Sequence, residues 1–257
     1  MMKQLLLFLA LLSPSAAYPQ AVIEREMACP VCGELFYAKL DVDSPAYDMR
    51  LDLKPVGEIS EPWRLPECPR CGFVVYKAPL SRAETAACRA VVYSPEYKKA
   101  LGRSSYYRAG LLYARLGKPP FPTANNFLKA SWQEEADPAR LREDQELALR
   151  YFSAALAAAG ERDGDWEKAE LLKGELLRRL GRFGEAADHF SGLLAMPEFK
   201  GNFLGDIAAY QLKLCARRDA SPRSLQYVRD SKKPALRRAW IAVRRALENV
   251  KEKITGR

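Results

Sequence analysis

Two short knuckles constrain this chain more than anything else in it: Cys29-Pro30-Val31-Cys32-Gly33 and Cys68-Pro69-Arg70-Cys71-Gly72. In a CPxCG turn, proline and glycine bend the backbone tightly, and the N–H groups of the bend point at the sulfurs and stabilise their negative charge. Two such turns meeting at one point supply four thiolates, the full ligand set of a closed tetrahedral zinc site. One CxxC is weak evidence, because redox motifs share it. Two, each with an internal proline and a trailing glycine, specify one shared metal. The expected cofactor is therefore one structural zinc per chain, on Cys29, Cys32, Cys68 and Cys71. Four cysteines leave no open position for water, so the zinc is not expected to be catalytic. Two alternatives remain at this stage: thiol–disulfide chemistry at a CPxC pair, and purely structural disulfides. No βαβ pattern surrounds either motif to favour the redox reading.

The remaining chemistry is sparse. The only histidine of the 257 residues is His189, which excludes metal triads and most Ser-His-Asp arrangements. There is no glycine-rich phosphate loop and no nucleophile elbow. Cys88 and Cys215 read as buried free thiols, with a bridge between them as the alternative. Asp41 and Asp43, with Asp48 and Asp52 nearby, offer a carboxylate-rich face for a cation or partner, or simply a polar strand face. The expectation is a protein that is not an enzyme.

The N-terminus sets the compartment. Lys3 is followed by an eight-residue apolar run, Leu5 to Leu12, then Pro14 and the small residues Ser15-Ala16-Ala17. This is the pattern of a secretory signal peptide over residues 1–17, cut after about Ala17. The run is too short to span a bilayer, which takes roughly 20 residues. An exported, periplasmic location follows as the expectation, and it argues against nucleic acid as the partner despite a formal net charge of +9. A nucleic-acid-binding ribbon returns only if the chain stays in the cytoplasm.

Residues 18–90 read as a small β-rich module around the knuckles, with Leu35-Phe36-Tyr37 and Phe73 to Tyr76 as return strands of two hairpins. Residues 94–257 read as helical. Ser94-Pro95 and Asp137-Pro138 are helix starts, an N-cap followed by proline at the first helical position. The second helix is expected to run to about Ala159. Residues 118–136, with Pro119, Pro120 and Pro122, read as a long inter-helix loop holding at most a short helix. The fold class is α+β, mainly α.

Lys173 to Phe190 carries Gly174, Gly181, Phe183, Ala186 and Phe190 at the small and aromatic positions of a tetratricopeptide repeat, a helix–turn–helix unit of about 34 residues. Gly110 and Gly117 keep the same offset as Gly174 and Gly181, so a second, split copy is expected, its second helix carrying Ala148, Phe152 and Ala155 beyond the insertion. In that register Tyr107, Arg108, Arg115, Lys168 and Arg179 face a concave groove suited to a peptide of acidic or C-terminal carboxylate character. The run Leu236, Trp240, Val243, Leu247, Val250 and Ile254 predicts an amphipathic C-terminal helix. Docking of its apolar stripe as a cap on the array is favoured over contact with an anionic membrane.

Paired CPxCG knuckles around an aspartate-rich stretch, followed by a helical tail with repeat character, resemble the bacterial family catalogued as domain of unknown function 2225. The resemblance runs from about Met27 to Phe190. It implies a zinc-ribbon-like head on a tetratricopeptide-like body and no established activity. The export signal departs from the family's expected pattern.

Overall fold

A computed structural model of the chain describes residues 22–41, 46–57, 63–232 and Arg244. The expected export signal and, apart from Arg244, the amphipathic C-terminal run lie outside the described residues. So does Asp43.

The first knuckle sits at the tip of an antiparallel hairpin, β1 (Val22–Ala28) and β2 (Leu35–Asp41), in register Met27↔Phe36 and Arg25↔Ala38. Alternation along β2 puts Phe36 and Ala38 into the core and leaves Leu35, Tyr37 and Lys39 exposed. A second, minimal pair, β3 (Asp48–Met49) with β4 (Pro55–Val56), lies in the segment between the knuckles. The return strand expected after the second knuckle is reduced to a single bridge, Glu67↔Val74. The reason is burial: Phe73, Val74 and Val75 are all enclosed, whereas a half-buried strand must alternate. This run is a core plug.

The rest is helical, and the whole is α+β, mainly α, as the sequence predicted. The helices are α1 (Arg82–Val92), α2 (Pro95–Lys99), α3 (Ser105–Arg115), α4 (Pro120–Gln133), α5 (Pro138–Ala158), α6 (Gly164–Arg179), α7 (Phe183–Ala195), α8 (Phe203–Ala216) and α9 (Leu225–Ser231). Both predicted starts hold. The Ser94 side chain accepts from the Tyr97 N–H (3.3 Å), and Asp137 accepts from the N–H groups of Ala139 and Arg140 (3.0 and 3.2 Å). Helix α1 begins inside the stretch expected to be β-rich, with Ser81 and Glu84 forming a reciprocal capping box.

Residues 118–136 are not a loop. They form α4, fourteen residues long. Pro120 and Pro122 fall in its first turn, where backbone N–H groups have no intrahelical acceptor, so the prolines cost the helix little. This corrects the pairing expected for α3. The partner of Gly110 is Phe127 on α4, whose ring lies 2.8 Å from where a Cβ would stand; Gly174 meets Phe190 in the same way at 2.4 Å. Phe152 of α5 packs instead against Phe121 of α4, edge to face with centroids 5.7 Å apart.

Two cores result. One spans α3 to α9. The other gathers Cys29, Cys68, Phe73 and Val74 with Cys88 and Val92 of α1, Tyr97 of α2 and Leu112 of α3. The expected boundary between residues 90 and 94 therefore crosses a shared core. The segment 46–57 straps the body: Leu51 is buried, its N–H donates to the Arg223 carbonyl (2.8 Å), and Arg50 bridges Asp52 (2.9 Å) and Glu135 (2.5 Å). Beneath it Arg178 and Glu175, both fully buried, form a two-pronged pair (2.9 and 2.6 Å). Arg178 also donates to the Ser221 carbonyl at 3.0 Å.

A second charged cluster joins α3, α4 and α5. Arg103 contacts Glu134 (2.8 Å), Glu143 (2.6 Å) and Asp144 (2.7 Å), three carboxylates for one guanidinium. Burial, and then the charge of Glu134, push the Asp144 carboxyl up to about 8. The folded state thus holds a proton that the unfolded chain releases near pH 4. The stability it contributes is complete below pH 4 and is lost progressively as pH rises from 4 to 8. Urea midpoints measured between pH 5 and 8 are expected to fall with pH and to level off above 8, and Asp144→Asn is expected to flatten that fall. Gly174→Ala is expected to destabilise the protein by about 1–3 kcal/mol through overpacking, despite a helix-propensity gain of about 1 kcal/mol. Adding Phe190→Leu is expected to recover part of the loss, read by the same urea titration.

Candidate metal centre

The two knuckles are built alike. In the first, the Cys29 N–H donates to the Glu34 carbonyl (2.8 Å) and the Gly33 N–H to the Cys29 carbonyl (2.9 Å). In the second, Cys68 donates to Phe73 (2.9 Å) and Gly72 to Cys68 (2.9 Å). The glycines close both turns in the left-handed region, at φ 78° and 75°. A Cβ at Gly72 would also lie 2.3 Å from Leu101 Cδ2, so the exposed Leu101 side chain would have to turn aside, whereas Gly33 faces open space.

The turns bring four sulfurs within 4.8 Å of one another. Two approaches join one knuckle to the other, Cys29 to Cys71 at 3.7 Å and Cys32 to Cys68 at 3.6 Å. A metal bonded to four thiolates at about 2.3 Å, the zinc–sulfur length, sets tetrahedral edges of about 3.8 Å. All six cysteines are free thiols. The four cysteines are positioned to hold a single metal ion.

The electrostatics fit a cation. Burial raises the Cys29 thiol to about 11 against the opposing N–H groups of Cys32 and Val31. Burial likewise raises Cys71, opposed by the Phe73 N–H. Burial also disfavours the Cys32 thiolate, but the Glu34 N–H and the neighbouring thiols outweigh it and lower its pKa. Protein groups alone do not ionise all four sulfurs near neutrality. A bound cation supplies the missing charge.

The knuckles are docked on the helices by side chains. The Gly72 carbonyl accepts from Tyr97 Oη (3.0 Å) and Arg108 Nη1 (3.0 Å), and Arg108 also pairs with Glu67. The Val31 carbonyl accepts from Arg89 Nη2 (2.6 Å). Arg70 and Glu34 pair across the knuckles at 3.5 Å.

The residues expected to line a peptide groove do not converge. Arg108 is buried on the second knuckle, and the Arg179 side chain is largely covered, 3.5 Å from Asp52. Tyr107 is buried, donating to Glu143 (3.0 Å). Lys168 pairs with Asp165 on the exposed side of α6 (3.1 Å). Arg115 is exposed and pairs with Glu96. Only Tyr107 and Arg115 share a cleft, one walled by α1, α2 and α3. The displacement follows from α4: once it fills the place beside α3, the split-repeat register no longer applies.

Two members of the aspartate-rich stretch, Asp48 and Asp52, are absorbed structurally. Asp52 takes Arg50, and Asp48 takes Ser224 and, at 4.0 Å, Arg229. His189 is largely buried, with Nε2 at 2.8 Å from the Glu170 carbonyl, and burial lowers its pKa. Cys88 and Cys215 are buried and unbridged, each with its pKa raised by burial. Sequence reasoning missed Arg89, Tyr97 and Arg108 as the knuckle anchors. Among the described residues no helix is long and apolar enough to cross a membrane.

Compared with known proteins, the chain matches no family model, no curated protein and no solved structure.

Both Gly33→Ala and Gly72→Ala are expected to pay the left-handed cost of about 1–2 kcal/mol. Gly72→Ala is expected to lose more stability and hold metal less tightly, because it also displaces Leu101. Chelator competition on the two variants checks this; equal losses would show that the Leu101 contact does not matter.

Proposed function

We propose that Cys29, Cys32, Cys68 and Cys71 hold one zinc ion in a structural role, and that the chain is a non-catalytic, exported binding module. Its paired helices, tetratricopeptide-like in the packing of Gly110 on Phe127 and Gly174 on Phe190, present the surface for a protein or peptide partner. The observation that carries the reading is that all four sulfurs lie within 4.8 Å of one another, with approaches of 3.7 and 3.6 Å joining one knuckle to the other. Sulfur-only tetrahedral sites take zinc or iron–sulfur chemistry, and paired CPxCG turns favour the redox-inert ion. Four protein ligands leave zinc nothing to activate. The resemblance to the domain of unknown function 2225 family points the same way for architecture. Export rests on Lys3 and the Leu5 to Leu12 run, and it favours a protein partner over nucleic acid.

The test is metal content with free-thiol count on mature protein from its native compartment. One zinc per chain is expected, lost in Cys29→Ser and in Cys68→Ser. Structural zinc in small peptides contributes on the order of 10 kcal/mol, so both variants are expected to lose the knuckle fold. No zinc, with Cys29–Cys32 or Cys68–Cys71 disulfides that dithiothreitol reduces, would replace this reading with that of a thiol–disulfide oxidoreductase.

A further inference from the structure

The cleft shared by Tyr107 and Arg115 is an open groove with a volume of about 830 Å³. Its floor is apolar, with Val91 from α1 and Tyr107 and Leu111 from α3; its rim carries Lys99, Glu96 and Arg115. Arg103 also reaches it, but its charge is taken up by Glu134, Glu143 and Asp144 behind the wall. Lys99 is exposed and enters no ion pair among the described residues. Arg115 is held only by Glu96, in a pair with both side chains about half exposed (59% and 47%). Such surface pairs contribute little, so an incoming carboxylate exchanges with Glu96 readily. The cleft therefore offers two exposed cations, Lys99 and Arg115, together with the apolar lining of Val91, Tyr107 and Leu111.

Its three walls have one thing in common. Each sends a side chain to a knuckle carbonyl: Arg89 of α1 to Val31, and Tyr97 of α2 and Arg108 of α3 to Gly72. The relative placement of α1, α2 and α3 is thus fixed from behind by the two turns that the four sulfurs join.

We propose that this cleft binds an extended acidic peptide, with an apolar centre on Val91, Tyr107 and Leu111 and carboxylates at Lys99 and Arg115, and that the metal centre sets its shape. The proposal rests on the binding-module reading above and gives it a site and a partner chemistry. Charge complementarity selects the occupant, and the apolar floor selects a peptide over a bare anion.

The test uses ¹⁵N-labelled, metal-loaded full chain and a pool of acetylated, amidated hexapeptides in which Glu residues flank two varied apolar residues. Saturable shifts at the amides of Lys99, Leu111 and Arg115 are expected. An isosteric pool with Gln for Glu is expected to bind at least tenfold more weakly. Lys99→Glu, at an exposed position, is expected to weaken binding tenfold or more, and Ala90→Trp to block the cleft. Chelation is expected to abolish binding while helical circular dichroism persists. No saturable shifts, equal affinity for the Glu and Gln pools, shifts mapping elsewhere, or undiminished binding after verified metal removal would each overturn the proposal. Metal content on the same sample separates the two levels: zinc present without acidic-peptide binding sinks only this inference, whereas absence of zinc sinks the parent reading.

Discussion

Four sulfurs within 4.8 Å of one another repel once ionised, and stay largely protonated if nothing ionises them. A cation held between them would turn that liability into a clamp. The clamp joins two turns separated by almost forty residues of chain, and the intervening segment becomes a closed loop whose ends cannot drift. From those turns, three hydrogen bonds to Val31 and Gly72 carbonyls reach into α1, α2 and α3. The knuckles need little core of their own because Cys29 and Cys68 are packed among helical residues such as Val92, Tyr97 and Leu112. Metal site and helical body are consequently one packing unit at their junction.

Away from the junction, the body is tied by buried charge. Arg178 with Glu175 and Arg179 with Asp52 each place a guanidinium where removing the carboxylate would leave a poorly compensated ion, whereas Arg103 is shared among three carboxylates. Glu175 shows the tension directly, since burial raises its pKa and Arg178 offsets that. These pairs fix which helix ends meet. They also explain why the strap 46–57 lies where it does: Arg50 and Lys54 converge on Glu135, at the turn between α4 and α5.

What could be read in the sequence was local. The knuckles are legible because proline and glycine dictate a turn within five residues, and both turns form. Ser94 and Asp137 are legible as N-caps for the same reason. The capping box at Ser81 and Glu84 was equally local, yet it was hidden by an assignment of its surroundings to strand. Helix α4 was hidden by prolines that mean one thing in a helix interior and another in its first turn. The site's supports were not legible at all. Arg108 reaches a carbonyl 36 residues away and Arg179 a carboxylate 127 residues away, and nothing in a helical period distinguishes such a buried arginine from one lining a groove. Exposure was the wrong default for both.

The account stands on the claim that the metal-joined knuckles organise α1 to α3. Hydrogen exchange on the zinc-loaded and chelated full chain, resolved by segment, tests it most directly. The account predicts that chelation strips protection from the knuckles and from residues 82–115 together, while α6 to α8 keep theirs. Loss confined to the knuckles, with α1 to α3 as protected as before, would contradict it.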